Sequence, residues 1–469
     1  MPVQSRSAPF LNLPRTYLVL SLVFGNLLVY LIPPFQSADE PWHFYRAYEI
    51  SEGALAVRQT DARGIPCDAF PIGLYQIWLP FSHIGFHPEA KTSLGRIREA
   101  FSIPLEPDKR MLIALPNTSH YSPVCYLPQS LGILLGRLVG AGPLALLYLG
   151  REGNMLGWIL AGYLALRCAP IIAPAVFLLL LMPMALYLAA TTSADAPTTA
   201  LAILFTATVC RYSTGAANSI GPRRWMILLL LSIGLCLCKF VYAPLLLLLL
   251  LIPIRNFGSG KKYAIMLAIL IVSAAAAWAI WTAASSAGLN SRINSSPNVS
   301  PPDQLHGLEQ HPLHFAAVLG ATFAAQGWTF LRLFVGLIGW YDVLAPGWLA
   351  AGYIAILLLA CLPPADRPPP APLVKTAILV LTAVVSSLLM IALLSYLYWT
   401  QVGAAQIDGI HGRYLIPLAP AVFVLICAAF NRVGLKSPLQ PRALNLILPL
   451  ISLLTCVYWT IAIWNRYYN

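Results

Sequence analysis

The stretch "TYLVLSLVFGNLLVYLIPPF" (residues 16–35) is followed almost at once by "SADEPWHFYRAYEISEG" (residues 37–53). The first stretch is a nearly unbroken apolar run that is long enough to cross a bilayer. The second places two carboxylates, an imidazole and a guanidinium within eight consecutive residues, 39–46, shortly after that run. Ionisable groups at the mouth of a membrane helix either belong to the polar interface or form a functional site.

Composition places the chain among polytopic membrane proteins. It has 469 residues, of which 58% are hydrophobic and only 10% are charged, whereas about 25% of the residues in a soluble domain are charged. The net charge is +12, but many basic residues fall in short gaps between apolar runs, as they do in loops that stay cytoplasmic. The basic charge therefore indicates orientation in a lipid bilayer, and we expect no nucleic-acid partner.

Apolar runs of about 17–25 residues predict membrane spans. We expect one all-α membrane module over residues 1–469, with about eleven transmembrane helices, a cytoplasmic N-terminus and an external C-terminus. The expected spans are residues 15–33, 145–167, 171–190, 196–212, 224–238, 240–254, 263–285, 346–363, 374–397, 413–430 and 444–463. The expected external loops are residues 34–144, 286–345 and 398–412, and the cytoplasmic loops are residues 213–223, 255–262, 364–373 and 431–443.

The first external loop contains an amphipathic stretch at residues 127–140. Leu131, Leu134, Leu135 and Leu138 share one face of a helix there. The pattern predicts a juxtamembrane helix that lies on the outer leaflet.

The charged stretch after the first span has the spacing of a helix. Pro41 is favoured in the first turn, so we expect a helix that begins at Glu40–Pro41 with Asp39 at its N-terminal rim. Asp39, His43 and Arg46 would then share one face. Two interpretations remain open: the carboxylates form part of a catalytic site, or they cap the helix and pair with Arg46.

Other ionisable residues also occur at the predicted outer ends of spans, which predicts one pocket at that membrane face. Asp195 looks most like a helix N-cap, whereas for Arg413 an interfacial anchor is the alternative to a site residue. The Arg151–Glu152 pair inside the second span is expected to be structural. The residues at the outer ends are Asp195, Lys239, Arg332, Asp342, Asp408, His411 and Arg413.

Cys67 and Cys125 are the two cysteines in the first external loop. Disulfides form in oxidising compartments, so a bond between these two cysteines is a hypothesis, although the sequence does not place them close together. The other cysteines lie in or beside predicted spans, where small apolar packing is expected.

Five pieces of the chain, in order, resemble the GT-C superfamily of integral-membrane glycosyltransferases. Within that superfamily the chain looks most like a widespread bacterial family of polytopic membrane proteins of unknown function. His411 departs from the pattern, since a glutamine is expected before "GRY". The pieces are "DEPWHFYRAYEISEG", "YSPVCYLPQSLG", "SADAPTTALA", "FVGLIGWYD" with "APGW", and "IHGRYLIPLAP".

The resemblance implies an enzyme of the bacterial inner membrane with its active site on the periplasmic face. It would transfer a sugar, with inversion, from a polyprenyl-phosphate donor to a glycan, lipid or protein acceptor of the cell envelope. Asp39 matches the catalytic acidic position, with Glu40 as the second choice. The expected substrate-binding residues are His43, Arg46, Lys239, Arg332, Asp342, His411, Arg413 and Tyr414.

We expect neither a cofactor nor a divalent metal, because the sequence shows no clear carboxylate cluster. Two other functions remain open. A lipid-linked-oligosaccharide flippase or transporter would use similar cations along a translocation path. A polysaccharide ligase or polymerase would share the pocket for the lipid carrier.

Overall fold

The computed structural model describes residues 12–57, 59–214, 219–285, 298–363, 372–438 and 440–469. Parts of the expected loops at residues 213–223, 286–345, 364–373 and 431–443 lie outside these ranges. Within them, helices predominate, and a small three-stranded sheet lies in the first long loop.

The N-terminal half begins with α1 (Leu13–Leu31), which contains a π-helical turn at Ser21–Gly25. The π turn lies where α1 packs tightly, since a Cβ on Gly25 would come within 2.5 Å of Met155 Sδ. The following helices are α2 (Glu40–Ser51), α3 (Ile72–Gln76), α4 (Leu94–Ala100), α5 (Leu127–Leu138), α6 (Pro143–Cys168), α7 (Ala173–Leu180), α8 (Pro183–Ala189) and α9 (Asp195–Ser213). Short 3₁₀ helices occur at Leu79–Ile84 and Pro123–Tyr126.

The C-terminal half contains both long apolar helices and 3₁₀ segments. The helices are α10 (Pro222–Cys238), α11 (Gly260–Ala284), α12 (Pro301–Gln310), α13 (Pro312–Val335), α14 (Gly347–Leu359), α15 (Leu373–Tyr398), α16 (Ala419–Arg432) and α17 (Pro441–Tyr467). The 3₁₀ segments are Phe240–Leu251, Ile254–Phe257 and Gly412–Leu418.

Six helices in the described part of the chain are long and apolar enough to cross a membrane. Five of them lie at predicted spans. The sixth is α13, which lies within the predicted second external loop. The other predicted spans correspond to helices that are short or broken, or that carry charges such as those of α6. The eleven spans therefore stay a prediction. The six are Leu13–Leu31, Gly260–Ala284, Pro312–Val335, Leu373–Tyr398, Gly412–Arg432 and Ala443–Tyr467.

The two ends of the helical bundle differ in the residues that they gather. At one end, Trp281 Nε1 donates a hydrogen bond to the His120 carbonyl at 2.8 Å, close to the start of α2; we call this the Asp39 end. At the opposite end, the amide of Ile220 donates to the Asn256 carbonyl at 2.6 Å. The predicted Lys- and Arg-rich loops that the structure describes lie at this opposite end.

Helix α13 contacts the Asp39 end of the bundle at both of its own ends. Near its start, the Phe315 ring packs on Tyr396 at 5.3 Å, in the last turn of α15. Near its finish, Gly412 approaches so closely that a Cβ there would lie 2.1 Å from the Phe330 carbonyl oxygen. Tyr396 and Gly412 flank the loop at residues 399–411, so α13 runs along this end of the bundle.

The amphipathic stretch at residues 127–140 forms α5, and its place on the outer leaflet stays a prediction. It packs antiparallel against α6, because glycines let the two backbones touch. A Cβ on Gly132 would lie 2.0 Å from the Leu149 carbonyl oxygen, and one on Gly153 would lie 2.1 Å from that of Pro128. The apolar face of α5, which includes Leu131 and Leu138, remains exposed.

The sheet in the first loop has the order β1-β2-β3, with antiparallel pairing of β1 (Gln59–Thr60) with β2 (Pro66–Pro71) and of β2 with β3 (Arg110–Ala114). Cys67 lies in its central strand, opposite Ala114. Cys125 lies in a 3₁₀ helix and its thiol donates to the Ser122 carbonyl at 3.0 Å. Both thiols are free, so the predicted disulfide is wrong. A second pair, β4 (Leu337–Ile338) with β5 (Val343–Leu344), forms a hairpin.

Candidate functional site

Asp39 precedes the first residue of α2, as the sequence predicts, but its side chain does not cap the helix. Its backbone is left-handed, with φ +65°. Non-glycine residues rarely adopt this conformation, and it is often found at functional sites. Asn117 Nδ2 and Arg413 Nη2 each donate to one of its carboxylate oxygens at 3.5 Å. The capping interpretation therefore does not explain the side chain.

Asp195 lies at the start of α9 and holds two cations. Its Oδ1 accepts a hydrogen bond from Lys239 Nζ, which follows α10 directly. Its Oδ2 lies 3.2 Å from Arg413 Nε. Arg413 is in the 3₁₀ segment Gly412–Leu418, so three separate elements meet at Asp195.

Four charged side chains lie in a row and alternate in sign, in the order Asp39–Arg413–Asp195–Lys239. We call these four residues the charge relay cluster. Side-chain exposure is 30% for Asp39 but only 11% for both Asp195 and Arg413 and 13% for Lys239. Paired charges in a poorly solvated setting hold one another in place more strongly than they would in water. Asp39 is therefore the more accessible of the two carboxylates, and Asp195 contacts both cations.

Aromatic rings surround the cations of the charge relay cluster. Lys239 Nζ lies 5.3 Å from the ring centre of Tyr121 and 5.1 Å from that of Tyr414. The Arg413 guanidinium lies 5.5 Å from the Tyr414 ring. Such rings attract cations through their quadrupoles, and they narrow the paths by which water reaches the charges.

His43 lies on α2 next to this aromatic wall. Its Nδ1 shares a hydrogen bond of 2.7 Å with the Tyr126 hydroxyl, and its ring is parallel to that of Tyr121. Burial lowers the pKa of His43 to about 4, because a charged imidazolium loses its hydration there. His43 is thus a neutral hydrogen-bonding group at pH 7.

His411 also lies beside the cluster, where it contacts the hydroxyl of Tyr341 and packs on the Tyr414 ring at 5.4 Å. Burial and the nearby Arg413 charge lower the pKa of His411 to about 3. The Tyr341 backbone is left-handed, with φ +68°. The site therefore contains a second neutral imidazole.

Residues 22–422 match the model of a family described as "Predicted membrane protein (DUF2142)". The chain belongs to this family. No curated protein and no solved structure shows significant similarity to the chain. The four members of the charge relay cluster all lie within the part that matches the DUF2142 family.

Six of the predicted site residues of this DUF2142 protein come together at the Asp39 end. Asp195, which we had read most simply as an N-cap, joins them. The predicted residues at the site are Asp39, His43, Lys239, His411, Arg413 and Tyr414.

Glu40, the second choice for the catalytic acid, is completely buried and paired with Arg151. Arg151 donates to both Glu40 oxygens, at 2.8 and 2.6 Å, and also to the carbonyls of residues at the end of α1. The Glu40 carboxylate is therefore not accessible to a substrate. Glu40 is thus a structural residue in this fold. Of the two predicted catalytic carboxylates, Asp39 remains the candidate.

Three predicted substrate-binding residues have structural contacts instead. Arg46 is fully buried, pairs with Glu49 at 2.6 Å and donates to the Leu55 carbonyl. Arg332 Nε donates to the Ala345 carbonyl at 2.8 Å, which supports the β4–β5 hairpin. Asp342 pairs with Arg466 of α17 at 2.6 Å. The placement of these three in the substrate pocket was wrong.

The sequence analysis missed the ring and amide groups that line the site. All but one of these groups belong to "NTSHYSPVCY" (residues 117–126), and Tyr341 belongs to "FVGLIGWYD"; the sequence analysis assigns none of them a role. A cluster of aromatic residues with Asn and His in a polar loop was the available signal. The missed residues are Asn117, His120, Tyr121, Tyr126 and Tyr341.

Proposed function

We propose that the protein is an inverting membrane glycosyltransferase, which passes a sugar from a polyprenyl-phosphate donor to a glycan, lipid or protein acceptor of the cell envelope. The observation that supports this most is the arrangement of Asp39. It is a partly exposed carboxylate at one end of the bundle, and it is linked through Arg413 and Asp195 to a second cation, Lys239. This arrangement supports a base that lies beside a phosphate-binding site.

The proposed reaction needs one proton acceptor and fixed positive charge. Asp39 takes the proton of the acceptor hydroxyl while that oxygen attacks the anomeric carbon. The bond from the anomeric carbon to the phosphate oxygen breaks, and the electron pair stays on the carrier phosphate. Arg413 and Lys239 stabilise the charge that grows on this phosphate. Asp195 holds both cations in position.

The exposed apolar face of α5 supports a lipid-linked donor. Leu131 is 57% exposed and Leu138 is 74% exposed, on a helix that leads from Tyr126 at the site. Acyl or prenyl chains cover such a surface favourably. A polyprenyl tail lying along α5 would place its phosphate near the aromatic wall.

We also propose that the Asp39 end faces the periplasm of a bacterial inner membrane, with the N-terminus in the cytoplasm. The support is the concentration of Lys and Arg in short loops at the opposite end, which the positive-inside rule assigns to the cytoplasm. A polyprenyl-phosphate donor in the outer leaflet would then reach the site directly.

A flippase or transporter of lipid-linked oligosaccharides is less well supported. Such a protein needs accessible charges along a path across the membrane. Arg151, which lies within a predicted span, pairs with Glu40, and both side chains are fully buried and hydrogen-bonded. A ligase or polymerase would use the same Asp39 and the same carrier phosphate, and differs only in the acceptor.

The test is transfer by the purified full-length protein from a panel of polyprenyl-phosphate hexoses and pentoses to envelope glycans. Asp39→Asn keeps the shape of the side chain and removes the base, so we expect the rate to fall about 10²–10⁴-fold with donor binding retained. Asp303→Asn, which changes an exposed carboxylate on α12, is the matched control. Full transfer by Asp39→Asn would refute the catalytic role.

A further inference from the structure

A second cleft lies at the far end of α2 from Asp39. It has a volume of about 570 Å³, which is within the range of small-molecule sites. Its walls are the last turn of α2, the segment at residues 101–107, and the end of α5 with the turn into α6. None of the residues of the charge relay cluster lines it.

The cleft combines an aromatic platform with paired charges. Phe101 is 50% exposed, and one face of its ring stacks on Tyr148 at 5.8 Å, which leaves ring surface open to the cleft. Glu52 and Arg137 line the cleft and lie 3.5 Å apart. Arg110 also pairs with Glu52, at 2.5 Å.

This combination fits a glycan better than an anion. A saccharide presents an apolar ring face to an aromatic side chain and hydroxyls to charged donors and acceptors. A phosphate would meet two carboxylates, Glu52 and Glu106, against the single guanidinium of Arg137 in the lining. Gly140 and Gly142 leave backbone rather than side chains along one wall.

We propose that this cleft binds an oligosaccharide segment of the acceptor. The twelve residues of α2 separate it from Asp39, a distance of about 18 Å at the rise of an α-helix. One sugar cannot contact both places, so the bound ligand is a chain whose reacting end lies at Asp39. The acceptor role rests on the proposed glycosyl transfer, whereas glycan binding by the cleft does not.

Direct binding by the full-length protein in detergent is the first test. We would measure saturation-transfer NMR and titration calorimetry with a panel of neutral oligosaccharides, a uronate-containing oligosaccharide and the matching monosaccharides. We expect oligosaccharides to bind more tightly than monosaccharides. Phe101→Ala should weaken binding about 2–10-fold through the lost ring contact.

A second variant fills the cleft without straining the backbone. A Cβ on Gly142 would lie 3.7 Å from the Ile103 carbonyl oxygen, an ordinary contact, so Gly142→Leu should fold and should abolish binding. Phe323→Ala, at another exposed phenylalanine on α13, is the matched control and should bind as the wild type does.

Three outcomes would overturn the inference: no oligosaccharide binds, binding persists in Gly142→Leu, or the cleft variants change only the retention of anionic phospholipid in nanodiscs. Failure of the proposed function looks different. In that case oligosaccharides bind and Gly142→Leu abolishes the binding, but no transfer depends on Asp39. If both proposals hold, Phe101→Ala raises KM for long acceptors and leaves short acceptors unaffected.

Discussion

Glu40 and Arg151 form a fully buried ion pair between α2 and α6, although Glu40 is the chain neighbour of the partly exposed Asp39. Arg151 also donates to the carbonyls of Val29, Ile32 and Pro33. The pair thereby satisfies the end of α1 and fixes the start of α2. Two adjacent carboxylates thus have different tasks, since one holds the bundle together and the other lies at its surface.

Removing one member of this pair should destabilise the protein strongly. Glu40→Gln leaves the Arg151 guanidinium buried without its counter-charge, so we expect the free energy of unfolding to fall by about 3–5 kcal/mol. Thermal unfolding of the purified protein in detergent measures this. Asp39→Asn is the control and should unfold close to the wild-type temperature. An unchanged melting temperature for Glu40→Gln would contradict the structural role.

The stability of the protein should fall with acid in a way that depends on His43. The pKa of a histidine is about 6.5 in an unfolded chain and is lowered to about 4 here. Between these values the unfolded state binds more protons, so this contribution is fully present above pH 6.5 and is lost as the pH falls towards 4.

His43→Gln keeps a hydrogen-bonding partner for Tyr126 and removes the titration. The wild type should lose about 1–2 kcal/mol more stability than this variant between pH 7 and pH 5. Glu49 titrates with the opposite sign, because burial raises its pKa to about 7, but that effect is common to both proteins. If wild type and His43→Gln lost the same stability between pH 7 and pH 5, a buried neutral His43 would be excluded.

Local features of the fold could be predicted from the sequence. Pro41 marks the start of α2, which begins at Glu40 as we expected, and the apolar runs predict where helices occur. Helix α13 was not predicted as a helix because its apolar run is interrupted by polar residues and follows a polar loop. The packing of α5 on α6 depends on the close approach of Gly132 and Gly153, which no periodicity reveals.

The site could be predicted in part, because ionisable residues near lipid pair with one another or face a water-filled cavity. That reasoning placed Asp39, Lys239 and Arg413 together correctly, although Arg413 and Asp39 are 374 residues apart in the chain. It could not separate Asp39 from Glu40, because the difference depends on Arg151, another distant residue. Arg46 was misplaced for the same reason, since its partner Glu49 makes the pair internal.

Helix α13 should have both of its ends on one side of the membrane. We would introduce single cysteines into a cysteine-free background and treat intact cells with a membrane-impermeant maleimide. Leu313→Cys lies at the start of α13, and Phe86→Cys lies against Trp340, just beyond its end. We expect both to be labelled, because both belong to the Asp39 end.

Lys262→Cys, at the start of α11, is the control at the opposite end and should react only after the cells are permeabilised. Labelling of Phe86→Cys without Leu313→Cys would show that α13 crosses the bilayer. The 24 residues of α13 are enough to cross the bilayer. The experiment therefore tests the inference, drawn from the contacts with Tyr396 and Gly412, that both ends of α13 lie on one side.

Replacement of Arg413 by lysine should separate charge from geometry in the charge relay cluster. Arg413 contacts Asp39 at 3.5 Å and Asp195 at 3.2 Å at the same time. A lysine keeps the positive charge but, as a point charge on a flexible stem, cannot hold two carboxylates in one plane.

Under the proposed function, Arg413→Lys should retain most donor binding and lower kcat, because Asp39 is no longer positioned. Arg413→Ala should lose donor binding and rate together. Arg332→Lys, which changes a guanidinium that donates to the Ala345 carbonyl beside the β4–β5 hairpin, should leave donor affinity unchanged. Donor affinity and single-turnover rate, measured separately for each variant, check this. Equal losses of affinity in Arg413→Lys and Arg413→Ala would show that the fork geometry of Arg413, and not its charge, holds the donor.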